Sequence, residues 1–144
     1  MNNIIIIGGG GHARIIISVL RKLNIYNILG YLDDRNNGII LGVRHLGNDS
    51  ILGKIKKSYK DCSAAIGVGI STSKTNKTDL IRKMLLSYNY DLPAIISPDT
   101  VIHENVLIGK GSFVNDGTVI GPDTSIGECV YIGTSTAISH DCVI

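Results

Sequence analysis

Every sixth residue from Ile102 to Ile144 is a β-branched aliphatic: Ile102, Ile108, Val114, Ile120, Ile126, Ile132, Ile138 and Ile144. The following slot holds Gly109, Gly121, Gly127 and Gly133, with Asn115 and Ser139 in the same place. Four residues after the aliphatics stand Val106, Ser112, Thr118, Thr124, Val130, Thr136 and Cys142. This spacing fits neither the 3.6-residue turn of a helix nor the two-residue alternation of a strand. A fixed short repeat is the mark of a stacked solenoid, and a six-residue one marks a parallel β-helix. Each unit is then one short strand and a corner. The aliphatic points inward and stacks on its equivalents, a position that suits β-branched side chains. Glycine after it is expected to relieve the steric limits of the turn.

The 144 residues allow one domain or two small ones, and charge divides them. Residues 1–97 carry 13 Lys and Arg against 6 Asp and Glu, whereas residues 98–144 carry one Lys against 6 acids. The split predicts two modules, 1–97 and 98–144. A basic first module favours a phosphate-bearing ligand; alternatively Lys54, Lys56, Lys57, Lys60, Lys74 and Lys77 form only a solvated face. Neither aromatic interleaving nor a known motif accompanies these charges, which leaves a nucleic-acid reading poorly supported. Cys62, Cys129 and Cys142 are odd in number and lack CxxC spacing, which predicts buried reduced thiols rather than disulfides or a metal site. The chain has no long apolar run and no basic leader. It is read as a cytoplasmic protein without a membrane span.

Ile4-Ile5-Ile6-Ile7 reads as a strand buried on both faces, hence part of a parallel sheet. A helix is expected over 13–23, a second strand over 27–32, and loop over 35–48. A short basic helix over 50–58 would be capped by Asp49 or Ser50. A third strand over 63–68, a helix over 77–86 and a last strand over 94–96 complete a doubly wound α/β order. Gly8-Gly9-Gly10-Gly11-His12 joins the first strand to the first helix. Glycines there let a ligand approach the backbone, and the helix start favours an anion such as phosphate. Asp33 and Asp34 end the next strand beside the same crevice, where a carboxylate accepts bonds from ribose or base donors. Gly8-x-Gly10-x-x-Ala13, with Asp33 twenty residues beyond, also fits a dinucleotide fingerprint, so an NAD-binding oxidoreductase domain is a competing reading. A tight strand-to-helix turn without a ligand is another.

Taken as a set, Gly8 to Ala13, Leu32-Asp33-Asp34, Ala65-Ile66-Gly67, Ile81-Arg82-Lys83, Ile96-Ser97-Pro98 and Ser139 to Ile144 resemble the PglD/NeuD-like sugar acyltransferases of the hexapeptide-repeat superfamily. The resemblance implies a Rossmann-like N-terminal domain that binds a nucleotide-activated sugar, followed by a left-handed β-helix in a homotrimer. It implies acetyl-CoA as donor and a UDP-amino sugar or related nucleotide sugar as acceptor, in surface-glycan synthesis, with no metal. By carry-over Gly10, Gly11 and His12 contact the nucleotide sugar, Asp33 and Asp34 hold its uracil or ribose side, and Gly67 lines the pocket. His140 becomes the catalytic base and Asp141 the acidic neighbour that raises its basicity. The segment 68–78 is longer than is usual in the family.

Two places after the inward Ile138, His140 should project from a coil corner. Acyl transfer needs a base as the tetrahedral intermediate forms, a role imidazole fills near neutral pH. A backbone amide is expected to stabilise the oxyanion. At eighteen residues per family-type coil, 102–144 makes about two and a half turns, close to the minimum for a solenoid. This predicts a shortened chain, partial in its β-helix, and leaves open a truncated nucleotide-sugar binder without catalysis.

Overall fold

The four isoleucines from Ile4 to Ile7 lie in β1 (Asn2–Ile7) and are buried, as a strand covered on both faces requires. Together β1, β2 (Tyr26–Leu32), β3 (His45–Gly47) and β4 (Ser63–Ile66) form a parallel sheet in the order β3-β2-β1-β4. The computed structural model describes residues 1–67 and 76–144, which divide into Met1–Leu92 and Pro93–Ile144. Val68 of the expected third strand, Lys74 and most of the long segment after the strand lie outside the described residues.

Helix α1 (Gly11–Leu23) buries Ala13, Ile16, Ile17, Val19 and Leu20, one face of a 3.6-residue period. It ends at Asn24 in a left-handed turn (φ 52°), with Arg21 and Lys22 in the last turn, where cations suit the helix dipole. A single 3-10 turn (Asp49–Ile51) leads into α2 (Leu52–Ser58), and α3 (Lys77–Ser87) follows β4. The cap of that turn is neither Asp49 nor Ser50: Asn48 accepts a bond from the Ser50 amide. The expected 35–48 loop contains β3, whose three residues are too few to carry a periodic signal. One core packs Ile5, Ile7, Leu32, Leu52, Leu85 and Tyr90 around Cys62. Burial pushes the Cys62 thiol up to about 11 and the Tyr90 phenol up to about 12. Tyr90 donates its hydroxyl to Leu52 O at 2.7 Å. No helix among the described residues is long and apolar enough to cross a membrane.

The second unit is the expected parallel β-helix. Its strands are β5 (Ile95–Ile96), β6 (Val101–Ile102), β7 (Leu107–Ile108), β8 (Phe113–Val114), β9 (Val119–Ile120), β10 (Ser125–Ile126), β11 (Tyr131–Ile132) and β12 (Ala137–Ile138). They stack as three short parallel sheets, β5-β8-β11, β6-β9-β12 and β7-β10. Ile96 pairs with Val114 and Ile102 with Ile120, so one coil is three repeats. Val114, Ile120, Ile126 and Ile132 form one continuous core flanked by Ile96, Ile108 and Ile138. Ile102 and Ile144, expected to point inward as well, are not part of this core and are 39% and 48% exposed.

Two sequence expectations change here. Ile95 and Ile96, expected to close the α/β sheet, instead begin the column: Ile96 stands six residues before Ile102, both strand residues pair with the next coil, and the Ile95 amide donates to Ser112 O. The unit boundary accordingly falls after Leu92 rather than after Ser97. The corner also lies elsewhere than expected. Left-handed backbone occurs three residues after the aliphatics, at Asn105, Gly111, Gly117, Asp123, Cys129, Ser135 and Asp141 (φ 52–73°). Glycine, asparagine and aspartate tolerate that region best. The glycines directly after the aliphatics serve close stacking. A Cβ on Gly109 would lie 2.5 Å from Gly127 backbone, and one on Gly121 would overlap the Ser139 carbonyl. All three cysteines are free, but only Cys62 is buried; Cys129 and Cys142 are half-buried.

Candidate active site

The glycine loop is shaped by what it touches. Gly8 leaves β1 at φ 103°, a region open to glycine. Its amide donates to Leu32 O at 2.7 Å. The Gly9 amide donates to Asp33 Oδ2 at 2.8 Å, and Asn37 Nδ2 donates to Gly9 O at 2.8 Å. A side chain at Gly9 would collide with the Tyr31 ring, 2.8 Å from its Cδ2. Tyr31 in turn donates to Gly38 O at 2.8 Å and accepts from the Asn37 amide at 3.0 Å. By contrast, among the described residues no atom lies within 4 Å of a Cβ placed on Gly10 or Gly11. Helix α1 therefore opens onto free space, without a side-chain cap and without a carboxylate in its first turn. His12 is half-buried at its second position. This is the geometry of an anion site at a helix start.

Asp33 acts first on its own chain. Oδ2 holds Gly9, and Oδ1 accepts the Arg35 amide at 3.0 Å. The Arg35 amide, then the Gly9 amide, with Lys77 and His45 nearby, hold its carboxyl below the usual range, against the opposing effect of burial. Because the folded pKa is depressed, this clasp is complete above the ordinary carboxylate range and is lost as pH falls through the lowered value. The Gly9 amide is expected to lose its hydrogen-exchange protection in acid well before the strand amides of Ile5 and Ile6; equal loss at all three would show that Asp33 holds nothing. Asp34 is exposed. A cleft of about 110 Å³ runs between Asp33, Asp34, Asp49, Lys77, Ile7 and Gly8. It is smaller than the ~300–1,000 Å³ of ordinary ligand pockets and takes only part of a ligand. Burial, then repulsion from Asp34 and Asp33, raises the Asp49 carboxyl, with Lys77 opposing. Gly67 sits beside the end of β1: its amide donates to Ile7 O at 2.7 Å, and a Cβ there would lie 2.9 Å from the Ile6 side chain. Packing therefore disfavours a side chain at this position independently of any ligand.

Three residues of this site escaped the sequence reading. Asp49 read as a helix cap and Lys77 as a solvated charge, whereas both line the cleft. His45 read as loop. Its Nε2–H donates to Asp33 O at 2.8 Å and its ring packs on Tyr31, centroids 5.1 Å apart. Only the order of neighbouring strands brings it there, so no local signal could have found it.

In the β-helix, His140 and Asp141 meet at the corner after β12. His140 Nδ1–H donates to Asp141 Oδ2 at 2.7 Å, with the two side chains 69% and 70% exposed. Asp141 takes the left-handed corner position (φ 52°), and its amide bonds to Pro122 O at 3.0 Å on the neighbouring coil. The Ser139 carbonyl packs on Gly121. The backbone on both sides of His140 is thus fixed to the coil beside it. Nδ1–H is committed to a carboxylate, which orients the ring and leaves Nε2 as the nitrogen of its other edge. So exposed a pair adds little to stability.

No curated protein matches the chain in sequence. Solved structures do match. A variant of perosamine N-acetyltransferase from Caulobacter crescentus, in complex with CoA and GDP-perosamine, is 28% identical with a TM-score of 0.87, covering 99% of this chain and 65% of that one. The acetyltransferase domain of PglB from Neisseria gonorrhoeae FA1090, in complex with acetyl coenzyme A, shares the fold at 24% identity and a TM-score of 0.83, covering 99% and 66%. WeeI from Acinetobacter baumannii AYE does so at 21% and 0.78, covering 98% and 65%. The chain thus spans just under two thirds of the length of these structures. A Rossmann-like domain followed by a left-handed parallel β-helix is the fold they share with it. Residues 99–134 match the bacterial transferase hexapeptide (six repeats). Residues 3–76, just over half of the chain, match the PglD N-terminal domain, and the protein belongs to that family.

Proposed function

We propose that this protein is a sugar acetyltransferase that moves the acetyl group of acetyl-CoA to the amine of a nucleotide-linked amino sugar. The observation that carries the reading is the His140–Asp141 pair, oriented at 2.7 Å on a β-helix corner. The likeness to a CoA- and GDP-perosamine-bound N-acetyltransferase supports the donor and the acceptor class. The sugar amine attacks the thioester carbonyl directly. As the C–N bond forms, His140 Nε2 takes the amine proton, and collapse of the tetrahedral intermediate expels CoA thiolate, which is then protonated. Asp141 stabilises the imidazolium. Gly10, Gly11 and His12 receive the diphosphate at the open start of α1. Asp34 faces the ribose or base, Gly67 lines the pocket's floor, and Asp33 keeps the loop in place.

The competing NAD reading also gives Asp33 to a ribose; each of its oxygens accepts one backbone amide and keeps a further acceptor site, so this contact alone does not separate the two ligands. A hydroxyl acceptor would use the same base. Homotrimer assembly is proposed on the outward face of β6-β9-β12, where Val101 (53% exposed), Val119 (39%) and Ala137 form an apolar ladder. Such a ladder is suited to burial against other copies. A cytoplasmic place in surface-glycan synthesis is proposed with it, supported by the proposed substrate class alone. Calorimetric titration with GDP- and UDP-amino sugars and with NAD tests the assignment. Saturable binding of a nucleotide amino sugar with none of NAD is expected, and NAD binding alone would overturn it.

A further inference from the structure

A second cavity of the α/β unit lies apart from the glycine-loop cleft. It is a groove of about 370 Å³ between the outer strands and α2, floored by Leu29, Leu46, Ile51 and Ile55. The four side chains pack against the main core yet remain partly uncovered. The cause lies in the fold: β3 is a three-residue edge strand and α2 has only seven residues, so neither spans the sheet surface beneath it. The rim carries Arg44 and Lys54, with the Tyr59 phenol and the Ser58 hydroxyl beside them, and no carboxylate lines the groove among the described residues. Lys56, the next basic residue on α2, is engaged elsewhere, donating to Cys62 O at 2.9 Å and lying over the Tyr90 ring. Arg44 and Lys54 make no ion pair among the described residues. The groove and the Asp33 cleft share no lining residue.

We propose that this groove is a second ligand site, for a small amphipathic anion: a flat or short-chain apolar body seated on Leu29 and Leu46, with one carboxylate or phosphate held by Arg44 and Lys54. The volume is that of a small-molecule pocket, and an apolar floor beside a few polar groups is how such pockets bind and orient their ligands. Charge selects the head group. Two cations without a facing acid attract an anion and repel the ammonium of a cationic amphiphile. Arginine also offers paired donors that match a carboxylate or phosphate.

The test is a titration of the isotopically labelled chain, followed by amide shifts, with 1-naphthoate, 1-naphthyl phosphate, 1-naphthol and inorganic phosphate. Saturable shifts at Leu46, Lys54 and Ser58 are expected with either naphthyl anion, at least about tenfold tighter than with naphthol or phosphate alone. Naphthoate against naphthyl phosphate identifies the preferred head. Lys54→Glu and Tyr59→Glu both alter exposed side chains and should each weaken binding about fivefold or more. Shifts confined to Gly8–His12, binding that naphthol matches, or affinity unmoved in both variants would each overturn the proposal.

Discussion

His140→Ala is expected to lower acetyl transfer to a nucleotide amino sugar by about 10²–10⁴-fold in kcat, the usual worth of a general base. The KM for the sugar should change by no more than about twofold, because an interaction made only in the transition state acts on kcat. The side chain is 69% exposed and its bond to Asp141 is a surface one, so the variant should unfold at the wild-type temperature. Asp141→Asn keeps a residue that tolerates the left-handed corner (φ 52°) but removes the carboxylate that fixes the ring. A smaller fall, about tenfold, is expected there. Steady-state kinetics of CoA release, with melting curves of the same preparations, make the distinction. Near-normal kcat in His140→Ala would remove it as the base, and a lowered melting temperature would make its role structural.

The second large effect concerns stability. A methyl group on Gly121 would occupy the space of the Ser139 carbonyl, and backbone cannot swing aside as a side chain does. Gly121→Ala is expected to cost about 3 kcal/mol or more, at the upper end of overpacking changes. Because Ser139 adjoins His140, the same change should also disturb the corner. Gly133→Ala supplies the contrast: its nearest neighbour would be a Tyr131 ring carbon at 3.7 Å, an ordinary contact, so a change within about 0.5 kcal/mol is expected. In the other unit Gly10→Ala places its methyl in open space. It should leave folding unchanged within about 0.5 kcal/mol and weaken nucleotide-sugar binding. Denaturant titrations of the three variants check these values, and equal stability of Gly121→Ala and Gly133→Ala would contradict the stacking account.

The contrast between these glycines marks what the sequence alone could convey. The column of Ile108, Val114, Ile120, Ile126, Ile132 and Ile138 was legible because inward packing repeats along the chain itself. The purpose of Gly121 was not, since its constraint comes from Ser139 on the next coil. The corner was shifted for the same reason. Glycine is the familiar sign of a turn, yet five of the seven left-handed positions hold Asn, Asp, Cys or Ser. Ile95 and Ile96 were misassigned because a short apolar pair reads alike in a sheet edge and in a coil; only its partner, Phe113 and Val114, decides. At the glycine loop, Gly10, Gly11 and their helix start were readable from local pattern. The clasp of Asp33 on Gly9, His45 beneath it and Lys77 in the cleft depend on strand order, which brings distant residues together without a local trace.

The most direct measurement is transfer of a deuterated acetyl group from acetyl-CoA to GDP- and UDP-linked amino sugars, followed by mass spectrometry of the sugar. The account predicts that the label arrives on the sugar nitrogen, with one CoA thiol released per acetyl transferred, and that His140→Ala abolishes nearly all of it. Nucleotide-sugar binding at the glycine loop without any labelled sugar would contradict the catalytic claim and leave a binding module in its place.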